Sequence, residues 1–306
     1  MSRTAAGDGG NAVTVPAGPS ADRPVTGGPP PRAAWGSLPR RRPMRRLPGV
    51  FSIRTPLSRR TRLILVTASV AVPLLAWILL SAAGAVPARF LPPPDKVWSA
   101  GVAMAESGQL ATDTWASLRR ILVGYGLAIL VAVPLGIAMG TFPSARSLLE
   151  PLSGLLRYLP AAAFTPLLLI WLGIEEAPKY GLVFIGTVFF VMLMTADAVR
   201  QVPGDLLDVS YTLGARRSEV ITRVIVPHSM PGIIDSMRVN FAAAWNLVVV
   251  AEYVNSDEGL GKRILLAQRF TQTDKIFAML VVIAVIGVAT DVLLRLLRDR
   301  LGRWAA

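Results

Sequence analysis

The stretch Asp205–Pro231, DLLDVSYTLGARRSEVITRVIVPHSMP, is a polar island between two apolar segments. Its apolar residues recur at roughly helical spacing, at Leu206, Val209, Leu213, Val220, Val224 and Val226. Gly214 interrupts this pattern and Pro227 ends it, so the stretch predicts two short amphipathic helices with a bend at the glycine. Such an ordered, amphipathic element favours a docking surface over a flexible linker.

Composition places the rest of the chain in a membrane. The 306 residues are 53% hydrophobic and their mean hydropathy is +0.51, which predicts an all-α integral membrane protein with several spans. Cysteine is absent, so disulfides and thiolate metal sites are excluded. A net charge of +13 would suggest nucleic acid in a soluble protein, but 12 of the 32 basic residues precede residue 63.

Two regions follow from this distribution. Residues 1–58 are rich in Gly, Pro, Ser and Arg and predict a disordered, basic, cytoplasmic tail. Residues 59–306 form the membrane domain. Its six predicted spans lie at about 63–86, 119–142, 149–174, 180–199, 232–254 and 276–294. Residues 87–115 are expected to form an outer polar segment in which the prolines at 92–94 break any helix.

Two features within the spans indicate how the helices pack. Small residues recur every fourth position in the second span, at Gly124, Ala128, Ala132, Gly136 and Gly140, and predict close helix packing. The third span contains Pro160 and Pro166 and is expected to be broken or kinked. A broken span favours a position near a translocation path, but an ordinary proline kink explains it equally well.

Basic residues predict the orientation. The basic tail, the arginines of the polar island and those after the sixth span place both termini and the island in the cytoplasm of a plasma or inner membrane protein. The basic residues between the fifth and sixth spans weaken this asymmetry, so the tail is the main argument.

The polar island resembles the EAA loop of ABC importer permeases, which runs Glu-Ala-Ala, three residues, Gly, nine residues, Ile-x-Leu-Pro. Asp208, Val209 and Ser210 stand at the Glu-Ala-Ala positions, and Gly214 and Pro227 stand at the glycine and proline. The resemblance implies a coupling loop that docks into a cytoplasmic ATP-binding subunit. Its expected docking residues are Asp208, Val209, Ser210, Gly214, Ala215, Arg216, Arg217, Glu219 and Pro227.

Three further segments resemble the nitrate, sulfonate, taurine and bicarbonate branch of these permeases. They are YLPAAAFTPLLLIWLGIEEAPK around Pro160 and Pro166, AEYVNSDEGLGKRI from Ala251, and TLGARRSEVITRVIVP in the island. The resemblance implies a permease subunit, working as a homodimer, for a small anionic or polar substrate. It also implies an extracytoplasmic solute-binding protein as a partner.

Chemistry within the chain itself is not expected. Gly261-Lys262 is followed by Arg263, and Ser256 stands where a phosphate-binding loop would begin with glycine, so ATP must be bound by a partner. A lone histidine, His228, makes no zinc site without cysteine, and we expect no metal or cofactor. Asp197 and Asp291 could form a proteolytic dyad in principle, but each has an arginine three or four residues away.

Polar residues in the fifth span are candidates for the translocation path. Asn240 and Asn246 either line the path or hydrogen-bond to neighbouring helices, and Glu252 is expected near the outer mouth. Pro160 and Pro166 join this set of path candidates. A secondary transporter or channel working without an ATPase is the alternative class. It would need a paired ion site at mid-membrane or two similar halves, and the sequence shows neither.

Overall fold

The structure, a computed structural model, describes residues 57–254 and 256–302. The predicted tail, residues 1–58, therefore lies almost entirely outside the described residues. The chain divides into two units after Val66. Of the first unit, residues 57–66 are described and include the start of the first helix. The second unit begins at Thr67 and carries the helices discussed below.

The described residues form helices and no strands. The helices are α1 Arg59–Ala82, α2 Pro94–Glu106, α3 Gln109–Thr141, α4 Pro143–Leu156, the 3₁₀ helix Ala161–Phe164, α5 Thr165–Leu172, α6 Ala177–Arg200, α7 Gly204–Thr212, α8 Arg217–Val220, the π-helical turn Ile221–Ile225, α9 Val226–Val254, α10 Leu260–Arg269 and α11 Thr273–Leu301.

Five helical stretches are long and apolar enough to cross a membrane. They are α1, α3, α6, the continuous stretch Arg217–Val254 and α11, and the bent pair of α4 with 161–172 supplies a sixth. The predicted all-α membrane fold with about six spans is confirmed. We call the end of α6 that leads into α7, at residues 200–204, the loop end, and the start of α6, at Ala177, the far end.

The small-residue stripe of α3 packs against α6, as its spacing predicts. A Cβ added at Gly136 would lie 2.6 Å from Thr195 Cβ, and one at Gly140 would lie 2.5 Å from Val199 Cβ. Ala128 is fully buried on the same stripe. In lipid, helices usually associate where small residues allow their backbones to approach closely. Together with α9, which packs on α6, these helices form the centre of the bundle.

The third span is broken, as its prolines predict. α4 and the following helical segment meet at an angle of 84° across residues 157–160. Pro160 immediately precedes the 3₁₀ helix in extended backbone, and Pro166 occupies the first turn of α5. In a first turn, the missing N–H of proline leaves no hydrogen bond unmade, so Pro166 starts a helix where an interior proline would kink one.

The expected outer polar segment contains more helix than predicted. Pro94 does not end a helix; it is the first residue of α2, because a proline at that position has the right φ and needs no donor. α3 begins at Gln109, ten residues before the predicted span. The expected outer segment included residues 109–115, but these residues form the first turns of α3, where Asp113 is buried in an ion pair with Arg263.

Candidate functional site

At the loop end, the predicted bend at Gly214 is confirmed. α7 ends in a Schellman motif, in which the N–H of Ala215 donates to the carbonyl of Ser210 (3.0 Å) and the N–H of Gly214 donates to that of Tyr211 (2.9 Å). Gly214 has φ +81°. A Cβ there would meet nothing within 4 Å, so the backbone angle, and not lack of space, requires glycine.

Charged residues fix the chain beyond the bend. The backbone N–H of Arg216 donates to Glu219 Oε2 at 2.9 Å, which caps the start of α8. The guanidinium of Arg217 lies 4.9 Å from the ring centroid of Phe142, at the end of α3. Arg223 Nη1 lies 3.8 Å from Glu219 Oε1. These contacts give α8 a defined position beside α3.

A small hydrophobic cluster anchors the loop to the bundle. Val199 and Val202 at the end of α6 pack with Val220 and Ile225 beyond the bend, and all four are buried. Leu207 of α7 packs against this cluster from the other side. Ala215 and Ile221 add to it, as does Ile137 of α3. The loop is therefore a packed part of the fold.

The opposite face of α7 is apolar and exposed. Leu206 is 40% exposed, Val209 57% and Leu213 82%. These positions are three and four residues apart, so they lie on one face of the helix. Asp208 is exposed beside them, whereas Ser210 is half-buried and donates to the carbonyl of Leu206 at 2.6 Å. An anchored helix with an exposed apolar face is suited to receiving a partner.

The predicted end of the second short helix at Pro227 is wrong. The helix runs on from Arg217 to Val254 without a break. Just before the proline, the N–H of Val226 bonds five residues back, to the carbonyl of Ile221. This π-helical turn changes the hydrogen-bond register where Pro227 lacks a donor, and membrane helices tolerate proline through such adjustments. The second short helix of the loop and the fifth span are thus one continuous helix.

The predicted path residues divide between four places. Pro160 and Asn246 line one cavity of about 320 Å³ at the break in the third span. Asn240 is buried, where its amide donates to Ser236 O (2.9 Å) and Met194 Sδ (3.2 Å). Pro166 is in α5. Glu252 is fully buried at the far end.

Glu252 belongs to a far-end cluster that joins α3, α6, α9 and α10. Its Oε1 accepts from Ser117 Oγ and from Arg120 Nη1, both at 2.7 Å. Arg120 also donates two hydrogen bonds of 2.7 Å to Glu176, just before α6. Lys179 Nζ completes the group, 2.8 Å from Glu176 Oε1. Burying an arginine that is 3% exposed is tolerable because two carboxylates compensate it.

Three side chains of this cluster hold the start of α10. The N–H of Gly259 donates to Asp113 Oδ1 (2.8 Å), that of Leu260 to Ser117 Oγ (2.9 Å) and that of Gly261 to Glu252 Oε2 (2.7 Å). A Cβ at Gly259 would lie 2.5 Å from the Glu252 carboxylate. The Ala-Glu segment at 251–252 and the Gly-Leu-Gly segment at 259–261 are therefore in contact. The Glu252 carboxylate fills the space that side chains at the two glycines would need.

Sequence reasoning missed most of this cluster. Asp113 was placed in the outer polar segment, Ser117 just before the predicted second span and Arg120 within that span, yet the three are spaced by four and three residues on one face of α3. That spacing is the signal that could have identified them. Arg263 Nε, which pairs with Asp113 Oδ2 at 2.5 Å, had no local signal.

The electrostatics of Glu176, which precedes α6, follow from this geometry. Bonding to Arg120, with further bonding to Lys179, lowers the pKa of the Glu176 carboxyl from 4.5 to about 2, against the opposing effect of burial. Glu176 therefore stays ionised throughout the physiological range and remains a counter-charge for Arg120 and Lys179.

Comparison with known proteins identifies the type of molecule. Residues 132–303 match the family model described as "Binding-protein-dependent transport system inner membrane component". The chain belongs to this family. It is thus an ABC importer permease, a multi-pass membrane protein whose class works with an ATP-binding subunit and a solute-binding protein.

Individual relatives agree with this family. A probable ABC transporter permease protein of Brucella melitensis is 38% identical over 247 residues, covering 81% of this chain and 99% of the relative. The taurine transport system permease protein TauC of Escherichia coli is 34% identical over 256 residues, covering 82% and 92%. Both matches span nearly the whole relative, and the second places this permease in the nitrate, sulfonate and taurine branch.

A solved structure agrees on the fold alone. An inward-facing form of the MetNI methionine ABC transporter superposes with a TM-score of 0.54 at 17% identity. It covers 66% of this chain and 98% of that chain.

Proposed function

We propose that this permease docks a cytoplasmic ATP-binding subunit through the exposed face of α7. The observation that supports it is the combination of exposed Leu206, Val209 and Leu213 with an anchored, Schellman-capped helix. A flexible loop would lose conformational entropy on binding, whereas a pre-ordered one loses little. Asp208 and Arg216 flank the apolar face and supply its polar rim.

Motion of the ATP-binding subunits is transmitted to the membrane through the continuous helix that starts with α8 and includes the fifth span. Because the stretch Arg217–Val254 is continuous, displacement of the docking loop displaces the fifth span itself. Closure of two ATP-binding subunits on ATP brings two such loops together and shifts the permease between inward-open and outward-open states. This requires two permease copies, and we propose a homodimer with the loops and both termini in the cytoplasm.

The substrate is proposed to be a small oxyanion of the sulfonate, taurine, nitrate or bicarbonate type. The resemblance of the whole membrane domain to a taurine permease supports this class. A solute-binding protein delivers the substrate, and ATP is bound and hydrolysed by the partner subunit and not by this chain.

The docking surface is tested by removing its apolar contact. Leu213→Ser should reduce co-purification of the ATP-binding subunit at least tenfold, because Leu213 is 82% exposed and has little to contribute to folding of the chain alone. Thr212→Ser, a neighbouring exposed position, serves as the matched control and should retain the partner. Co-purification of Leu213→Ser at the level of the control would refute the docking role of this face.

A further inference from the structure

The break in the third span carries an arginine that neither the sequence motifs nor the family description assigns. Arg157 directly follows α4 and lines the cavity of about 320 Å³ together with Pro160 and Asn246. Its nearest polar contact is the neighbouring Tyr158, whose hydroxyl accepts from Arg157 Nη2 at 3.2 Å. The guanidinium also lies 5.0 Å from the Tyr158 ring centroid.

The cavity lies near the middle of the membrane. It is lined by Gly186, Phe189 and Phe190, which stand at the centre of α6, Ala177–Arg200. A Cβ at Gly186 would lie 2.9 Å from Ala161 Cβ, so the break packs directly against this central turn. α6 spans about 36 Å at 1.5 Å per residue, which puts the break roughly half that distance from either bilayer surface. A lipid phosphate therefore does not reach it.

Arg157, which is exposed in the single chain, differs from Arg120 and Arg238 in lacking a carboxylate. Arg120 pairs with Glu176 and Glu252, and Arg238 pairs with Asp235 and Asp291. Within residues 57–254 and 256–302, no Asp or Glu forms a salt bridge with Arg157. A cation at mid-membrane depth is costly without a counter-charge, and such residues mark substrate or ion pathways. A negatively charged ligand moving along the path can supply the counter-charge that Arg157 lacks.

The lining around Arg157 suits a small oxyanion with an apolar part. A guanidinium binds planar or tetrahedral oxyanions through two parallel N–H bonds. Asn246 uses one amide N–H for the carbonyl of Ala242 at 3.3 Å, which leaves the second N–H as a donor. Phe189 and Leu247 provide apolar surface, and the volume lies within the range of small-molecule sites.

We propose that Arg157, with Asn246, forms a binding site for a monovalent oxyanion on the translocation path of this permease. The proposal rests on the proposed function, because it takes the transported substrate as the ligand. It adds a specific residue to the path: the chain itself selects for negative charge at mid-membrane, after the solute-binding protein has released its cargo.

The test is a titration of the full permease, purified with its ATP-binding subunit, with three probe anions: ethanesulfonate, nitrate and bicarbonate. Ethyl methyl sulfone, a neutral analogue of ethanesulfonate, is the control ligand. At least one anion should raise the thermal midpoint saturably, and the sulfone should not. Arg157→Gln should weaken that binding at least tenfold. Arg157→Lys keeps the positive charge but loses the paired N–H donors of the guanidinium, so it should weaken that binding less.

Arg146→Gln is the matched control variant, since Arg146 lies in α4, the helix that Arg157 follows, in an exposed i,i+4 pair with Glu150. It should bind the anion as the wild type does. Equal binding by Arg157→Gln and the wild type would overturn the proposal, as would binding of none of the three anions or an equal response to the sulfone. The midpoints without ligand show whether each variant is folded. Co-purification of the ATP-binding subunit with the wild-type chain reports separately on the proposed function.

Discussion

At the scale of single residues, the far-end cluster shows how charge is accommodated inside this bundle. Glu252 and Arg120 are both buried, and each has several partners drawn from other helices. Removing one partner from such a network leaves an uncompensated charge, which costs more than the intact pair gains. The cluster therefore behaves as a unit that joins α3, α9 and α10.

Glu252→Gln should destabilise the permease by about 3 kcal/mol, the lower end of the cost of breaking a buried ion pair. Glu150→Gln, in the exposed pair with Arg146, should cost little, because solvent screens an exposed ion pair. Denaturant or thermal unfolding in a defined detergent would measure both. Equal losses for the two variants would show that the far-end cluster contributes no more than a surface pair.

Glu176 gives this cluster a defined dependence on pH. A carboxyl whose folded pKa is lowered stabilises the fold above its unfolded pKa of about 4.5, and that contribution is lost as the pH falls through about 2. The thermal midpoint of Glu176→Gln should therefore lie below that of the wild type by a constant amount above pH 5. The difference should shrink below pH 4.5. A difference that grows on acidification would contradict the assignment.

At the scale of elements, the contact between α3 and α6 depends on residues that lack side chains. Gly136 and Gly140 lie against Thr195 and Val199, while Gly126, on another face of α3, has open space around it. Hydrophobicity alone does not distinguish these glycines. Their four-residue spacing does, because it places Gly136 and Gly140 on one face of the helix.

Gly136→Val should disrupt the packing of α3 on α6, since its Cβ alone would lie 2.7 Å from the carbonyl oxygen of Met192. Gly126→Val, on the same helix, should have a small effect. Folded yield in membranes and thermal midpoint are the measurements, with an expected loss of about 1–3 kcal/mol for overpacking at Gly136. If the two variants behave alike, the stripe is not the packing face.

At the scale of the whole molecule, apolar runs and loop spacing were enough to predict the helical membrane fold, the break near Pro160 and the bend at Gly214. They failed where tertiary contacts decide the structure. Asp113 looks like part of a loop in the sequence, and it becomes core only because Arg263 of α10 neutralises it. Arg120, inside the predicted second span, is buried only because Glu176 and Glu252 compensate its charge. Pro227 looked like a helix end because the π-helical turn before it leaves no sequence signal.

The orientation of the whole chain is a prediction that labelling can test. Ser218, in α8, is exposed, and the chain has no native cysteine. A cysteine introduced at Ser218 should react with a membrane-impermeant maleimide only after cells are opened. One introduced at Trp98 of α2, also exposed, is the control for the opposite side. Labelling of Ser218→Cys in intact cells would place the docking loop outside and exclude a cytoplasmic partner.

The proline just past the π-helical turn has a mechanical consequence. Pro227 offers no N–H to the carbonyl of Arg223, and Pro231 offers none to that of Pro227. Two backbone hydrogen bonds are therefore missing from the helix where it leaves the loop end. We expect this helix to bend most easily at that place, so that the docking loop can change its angle to the fifth span while it still carries that span along with it.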